Sequence, residues 1–424
     1  MRDDDVALLT RLLELDTVTP METGRPSAQP DALTVVAQAG SELGFVTEHL
    51  GAPSARALAD PGTPVQVLWR SEQMGTDTFL TCQPNLVLRL GPGRPAHRTM
   101  MFNCHIDTVR DHLPTKRTAR RVHGRGAVDA KGQLVAILAG ARRALAEQPG
   151  LSDRMSLLVQ VVGGEEGGAM GWYGTRELAR LGYLGRLNVV AEPTRSGALD
   201  RTTTSMTARF EVAGQGSTDD LPEAGHNATI ALAVIADQLV RCLAPLVARL
   251  GGTMCIAGCE TGSEHNRVYG SGALLVNFAY SGLSEAAKIA EHTEAVFHTA
   301  LDRLHDDYAA LGIARRTALD ARKICSLRWL KSGLPVLRNS PDPAMSAVLT
   351  RAGIGSSALR PFTCDAMWLQ RDGCYTVVLG AGDLGGNRAH TDGEFVCLAD
   401  LQAHADLVAR VILAFCAEPA GRCP

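Results

Sequence analysis

The chain has 424 residues, 45% of them apolar and 21% charged, with a formal net charge of -3. That length exceeds one typical core, so two domains are expected. The near-neutral charge and an aromatic share of 4% exclude the electrostatic footprint and stacking platforms of a nucleic-acid binder, and no polybasic patch suits a membrane surface. The eleven cysteines form no CxxC pair and read as reduced thiols of a cytoplasmic protein. The acidic start, MRDDDVALLTRLLELD, is unlike a signal peptide. The longest apolar run, 228–250, is interrupted by Asp237 and Arg241 and reads as an amphipathic helix rather than a membrane span.

In chain order, residues 3–15 and 31–44 have the apolar spacing of helices. Strands are expected at 85–90, 100–104, 156–162 and 188–191, with helices at 133–147 and 172–181 between them. Short continuous apolar strands alternating with helices predict an α/β fold, a mostly parallel sheet flanked by helices. After Thr202 the texture changes. A strand at 205–212, a helix at 228–250, a strand at 273–280 and a helix at 285–304 suit an inserted α+β domain. From about 333 the first texture returns, with a strand at 376–379 and a helix at 398–416. The expected division is 1–200 and 326–424 for one domain, with 201–325 inserted.

Acidic residues and histidines stand where the apolar strands end, and ligands of such sheets bind beyond the carboxyl ends of the strands. They are His105 and Asp107 in CHIDTV, Asp129 in GRGAVDAKG, Glu165 and Glu166 in GGEEGG, Glu192 in AEPT and His390 in AHTDGEF. Residues two apart on a strand face one side, so Asp107 can orient His105 while the imidazole binds a cation. Asp129 either caps the following helix or bridges two metal ions. Two adjacent acids between glycine pairs after an apolar strand are a poor place for uncompensated charge. A dinuclear centre uses both, one as ligand and one as proton carrier. The other histidines are read as solvated.

On these strings, the chain resembles the di-zinc metallopeptidases that include aminoacylase, acetylornithine deacetylase, succinyl-diaminopimelate desuccinylase and carboxypeptidase G. The resemblance runs from about Leu8 to the last helix. It implies two zinc ions per chain, with cobalt or manganese as alternatives. His105 and Glu192 would complete one site, Glu166 and His390 the other, and Asp129 would bridge them. Asp107 would orient His105, and Glu165 would be general base and later acid in hydrolysing an amide. The bond after Asp129 is expected to be cis, and the inserted domain to act as a lid that forms a homodimer. The implied substrate is a small N-acyl amino acid or dipeptide-like molecule.

The lid departs from this pattern. Thr218 stands where the family carries a histidine, and Ala279 where an arginine often grips substrate carboxylate. The family asparagine is retained as Asn266, and Thr363-x-Asp365-Ala366 matches a substrate-side loop. A lost cationic clamp weakens recognition of a free carboxylate, which implies a non-standard substrate. Acyl transfer or amide formation at the same metals, and a non-catalytic metal-stabilised binding protein, are the alternatives.

Overall fold

The apolar runs of the first half of the chain, joined by one late strand, build a six-stranded sheet. Its order is Val46–Gly51, Asn85–Leu90, Ser156–Val162, Thr99–His105, Leu187–Val190 and Tyr375–Val378. The first two pairings are antiparallel and the remaining three parallel, so the sheet is mostly parallel, as the alternation of strands and helices predicts. Its central strands are buried along their whole length and mostly apolar, because both faces are covered. Met100 and Phe102 enter one core while Met101 enters the other, the alternation of a pleated strand. Each fully buried Leu or Phe contributes about 1.5–3 kcal/mol.

The computed structural model describes residues 1–418 and separates into two units, residues 1–202 with the chain from 337, and Thr203–Val336. In the first, the helix Lys131–Glu147 packs against the last helix, Leu398–Cys416. A Cβ at Gly140 would lie 2.4 Å from Val408 Cγ1, so glycine there permits the close crossing.

His404, on the same last helix, is 1% exposed, with Nδ1 3.4 Å from the Ser196 hydroxyl. It is therefore not the solvated histidine expected from sequence. Burial pushes its pKa from 6.5 down to about 4. The folded chain keeps it neutral, whereas the unfolded chain takes up a proton below about 6.5. Folding should therefore lose on the order of 3 kcal/mol through this group as pH falls from about 6.5 to about 4. Urea midpoints at pH 7 and pH 4.5 are expected to differ less for His404→Gln than for the parent. Equal differences would remove His404 from the acid sensitivity.

The second unit is a four-stranded antiparallel sheet ordered Thr253–Glu260, Ser271–Tyr280, Thr204–Ala213, Cys325–Lys331. Helices Ala228–Cys242 and Leu283–Tyr308 supply its core with Leu232, Ile235, Ile289 and Leu301. Residues 326–336, expected to begin the return to the first domain, lie in this unit, because Cys325–Lys331 pairs with Thr204–Ala213. Ala228–Arg249 is long and apolar enough to cross a membrane by length and composition. It is broken at Leu243, where a second helix begins with Pro245 in its first turn. Leu232, Ile235 and Leu239 on it pack into the unit's core.

Candidate metal centre

His105 is the last residue of its strand, and the chain turns there. Its Nδ1 lies 2.8 Å from the Asp107 main-chain carbonyl and 3.7 Å from the Asp107 carboxylate. His105 is thus hydrogen-bonded to the backbone of Asp107, with the Asp107 carboxylate at ion-pair distance beside it. Nδ1–H donates to that carbonyl, which leaves the Nε2 lone pair for a cation. The Asp107 carboxylate accepts instead from the backbone N–H groups of Glu165 and Glu166, at 3.3 and 3.0 Å, and so anchors the GGEEGG loop. Burial pushes the Asp107 carboxyl up to about 6.

That loop needs left-handed backbone. Gly164 has φ +75°, and a Cβ there would fall 2.2 Å from the Tyr173 ring. Behind the loop, Trp368 donates to the Met170 carbonyl and the Thr175 hydroxyl donates to Asp365. Asp365 is buried, and burial raises its carboxyl. Its charge acts on both Glu165 and Glu192, so it is a further acid at the centre. The sequence placed it in a substrate-side loop without assigning it a role. Thr363, two residues earlier, is half-buried.

Asp129 does not cap a helix. Ala130 holds the cap position of Lys131–Glu147 and no side chain caps it. The Asp129–Ala130 peptide is cis, as is Arg110–Asp111. The Asp129 carboxylate lies between the two imidazoles, with Oδ1 2.9 Å from His105 Nε2 and Oδ2 3.1 Å from His390 Nε2. Burial opposes its ionisation, but the hydrogen bonds from both histidines outweigh this and hold its carboxyl well below the usual range. Glu192 Oε1 lies 3.6 Å from His105 Nε2, and Glu166 Oε1 lies 3.1 Å from His390 Nε2. Hydrogen bonds to Asp129 and Glu166 push His390 up to about 11. Burial, reinforced by Glu166 and by Asp129 respectively, raises Glu165 and Glu192 well above the carboxylate range.

Three donor groups result, each with ligand atoms within 4.8 Å: His105, Asp129 and Glu192; His105, Glu165 and Glu166; and Asp129, Glu166 and His390. Asp129, Glu165, Glu166 and Glu192 crowd into space where burial penalises charge, and two imidazoles cannot neutralise them all. Oxygen and imidazole donors in this number fit divalent cations.

In the second unit, Thr218 and Arg267 pair across a two-stranded ribbon, with Asn266 next to Arg267. All three are exposed. Arg267 was not singled out from the sequence; its guanidinium carbon lies 5.9 Å from the centroid of the Tyr269 ring. His226 is 5% exposed, and its Nδ1 accepts from the Gln215 N–H at 2.9 Å while Nε2 lies 3.3 Å from Asp320. It is a packed histidine, not a solvated one.

A family profile described as peptidase family M20/M25/M40 matches residues 101–414. An Aeropyrum pernix protein named as a LysW-lysine/LysW-ornithine hydrolase is 30% identical over 301 residues, 68% of this chain and 79% of that protein. A Methylobacterium nodulans succinyl-diaminopimelate desuccinylase is 26% identical across an alignment of 435 positions, covering 97% of this chain and 96% of the relative. Human carnosine dipeptidase 1 has a similar fold, with a TM-score of 0.68 at 15% identity over 98% of this chain and 96% of the dipeptidase. The chain belongs to peptidase family M20/M25/M40 and is an amide-bond hydrolase of the metallopeptidase type.

Proposed function

We propose that the centre holds two zinc ions, with cobalt or manganese as alternatives, and hydrolyses the amide bond of a small N-acyl amino acid or dipeptide-like substrate. The observation that carries this reading is Asp129, which offers one oxygen toward each imidazole. His105, Glu192 and Asp129 would hold one ion, and Glu166, His390 and Asp129 the other. When bound, the ions would lower the pKa of the attacking water and stabilise charge developing on the amide oxygen.

Glu165 takes the proton of that water. The oxygen adds to the acyl carbon, the carbon–nitrogen bond breaks, and Glu165 returns the proton to the departing nitrogen. The products are an amine and a carboxylate. Asp107 supports this by fixing His105 through its carbonyl and the Glu165–Glu166 backbone through its carboxylate.

Thr363, Thr218 and Asn266 are the substrate contacts of this reading, on the strength of the resemblance. Thr218 and Ala279, where the pattern of relatives carries a histidine and an arginine, support a non-standard substrate with weaker recognition of a free carboxylate. The homodimer through the second unit belongs to the same proposal. Its support is the edge strand Thr253–Glu260, which is mostly exposed, since unpaired edges are templates for another chain. The cytoplasmic setting rests on the sequence alone.

The test is a panel of N-acyl amino acids, dipeptides and amides without a free carboxylate. Amides without a free carboxylate should turn over best. Turnover confined to carboxylate-bearing substrates would refute this reading of the lid changes. Metal-loaded protein inert to the whole panel would refute hydrolysis.

A further inference from the structure

Arg125 and Glu394 form a buried ion pair outside the ligand set, at 2% and 1% exposure, with Nη1 2.8 Å from Oε2. Every further partner of this pair is a backbone group of a loop at the metal centre or of Arg110–Asp111. Glu394 Oε1 accepts from the N–H groups of Val128 and Asp129, at 3.2 and 3.4 Å. Arg125 donates to the carbonyl of Thr391 at 3.2 Å, and to those of Asp111 and Arg110 at 3.0 and 3.3 Å. The carboxylate thus grips the main chain of Asp129, and the guanidinium grips the residue after His390.

These two loops are far apart in sequence, and their ligands must meet within a few tenths of an ångström. His390 is half-exposed and takes a left-handed φ of 62°, a conformation that costs a non-glycine residue on the order of 1 kcal/mol. Little packing holds it, so its place depends on how its loop is tied down. A buried ion pair is a weak device for stability, since well-packed apolar residues do as well or better. It is a strong device for geometry, because a fork of fixed donors meets one carboxylate and several carbonyls at once.

We propose that Arg125 and Glu394 are positioning residues that set the separation of Asp129 and His390, and so the affinity of the ion that both would hold. The inference rests on the two-metal reading above.

The test is zinc titration of chelator-stripped, full-length protein against a competing chelator, with circular dichroism and thermal midpoints recorded for each variant. Glu394→Gln keeps the shape but removes the charge. The affinity of the ion held by Asp129, Glu166 and His390 should fall at least ~10-fold, the range that outer partners of metal ligands carry, and that of the other ion, which shares only Asp129, by less. With zinc at fixed subsaturating concentration, kcat should fall in step and KM should stay within about twofold, since neither residue touches substrate. Arg125→Lys, which keeps the charge but loses the fork, should shift the same affinity in the same direction by less.

A Glu394→Gln protein with both zinc affinities unchanged and only a lower thermal midpoint would overturn the inference, leaving a purely structural pair. Should Glu394→Gln fail to fold, Arg125→Lys decides by the same criterion. A parent chain that binds fewer than two zinc ions would overturn the two-metal reading and this inference together.

Discussion

Glu165→Gln should fold, retain its metal and lose about a thousandfold in kcat, within the 10²–10⁴ that a positioned acid–base group contributes. The expectation rests on where Glu165 stands. Its carboxylate lies within 4.8 Å of ligand atoms of His105 and Glu166, yet the two clusters joined through Asp129 are complete without it. Glutamine preserves the volume and one acceptor oxygen but cannot take a proton from water. Burial, then Glu166, raises the Glu165 carboxyl, which makes it a better proton acceptor. Metal content, KM and kcat measured together separate the possibilities. A variant with full metal and near-parental kcat would show that another group carries the proton.

Asp129→Asn should have a different signature. The carboxylate gives one oxygen to the side of His105 and the other to the side of His390. Asparagine replaces one of those oxygens with an N–H donor, which repels a cation. Both zinc affinities should therefore fall by on the order of a hundredfold or more, beyond the 10–100-fold that outer partners of ligands carry. Turnover should fall with occupancy and recover partly at high zinc. The thermal midpoint of the chelator-stripped variant should fall below that of the stripped parent, because the carboxylate's hydrogen bonds with both histidines, which hold it ionised in the fold, are weakened. Loss of only one ion would mean that Asp129 serves a single site.

The cluster of candidate ligands was legible because each member ends an apolar strand or sits in a glycine-rich string beside one. Continuous apolar runs such as Ser156–Val162 are buried on both faces, and that pattern survives in sequence. Other elements left weaker traces. Thr253–Glu260 is largely exposed and its register shifts between Ile256 and Gly258, so no alternation marks it. Gly312–Ile324 buries Ala314, Thr317, Ala318 and Ala321, residues too small to draw an apolar stripe. At the centre itself, what escaped reading was contact between distant loops. Arg125 and Glu394 are 269 residues apart, and the carbonyl that orients His105 has no residue type to betray it. Asp129 could be read as a cap or as a bridge; Ala130 takes the cap position, and the Asp129 carboxylate lies between His105 and His390, which no local sequence signal gives.

The measurement that bears most directly on the account is zinc binding to the stripped parent chain, by calorimetric titration with the bound metal counted independently. Two ions per chain, with amide hydrolysis rising as the second site fills, is the predicted result. Hydrolysis that persists undiminished in stripped protein, or saturation at one ion or none, would contradict the two-metal centre.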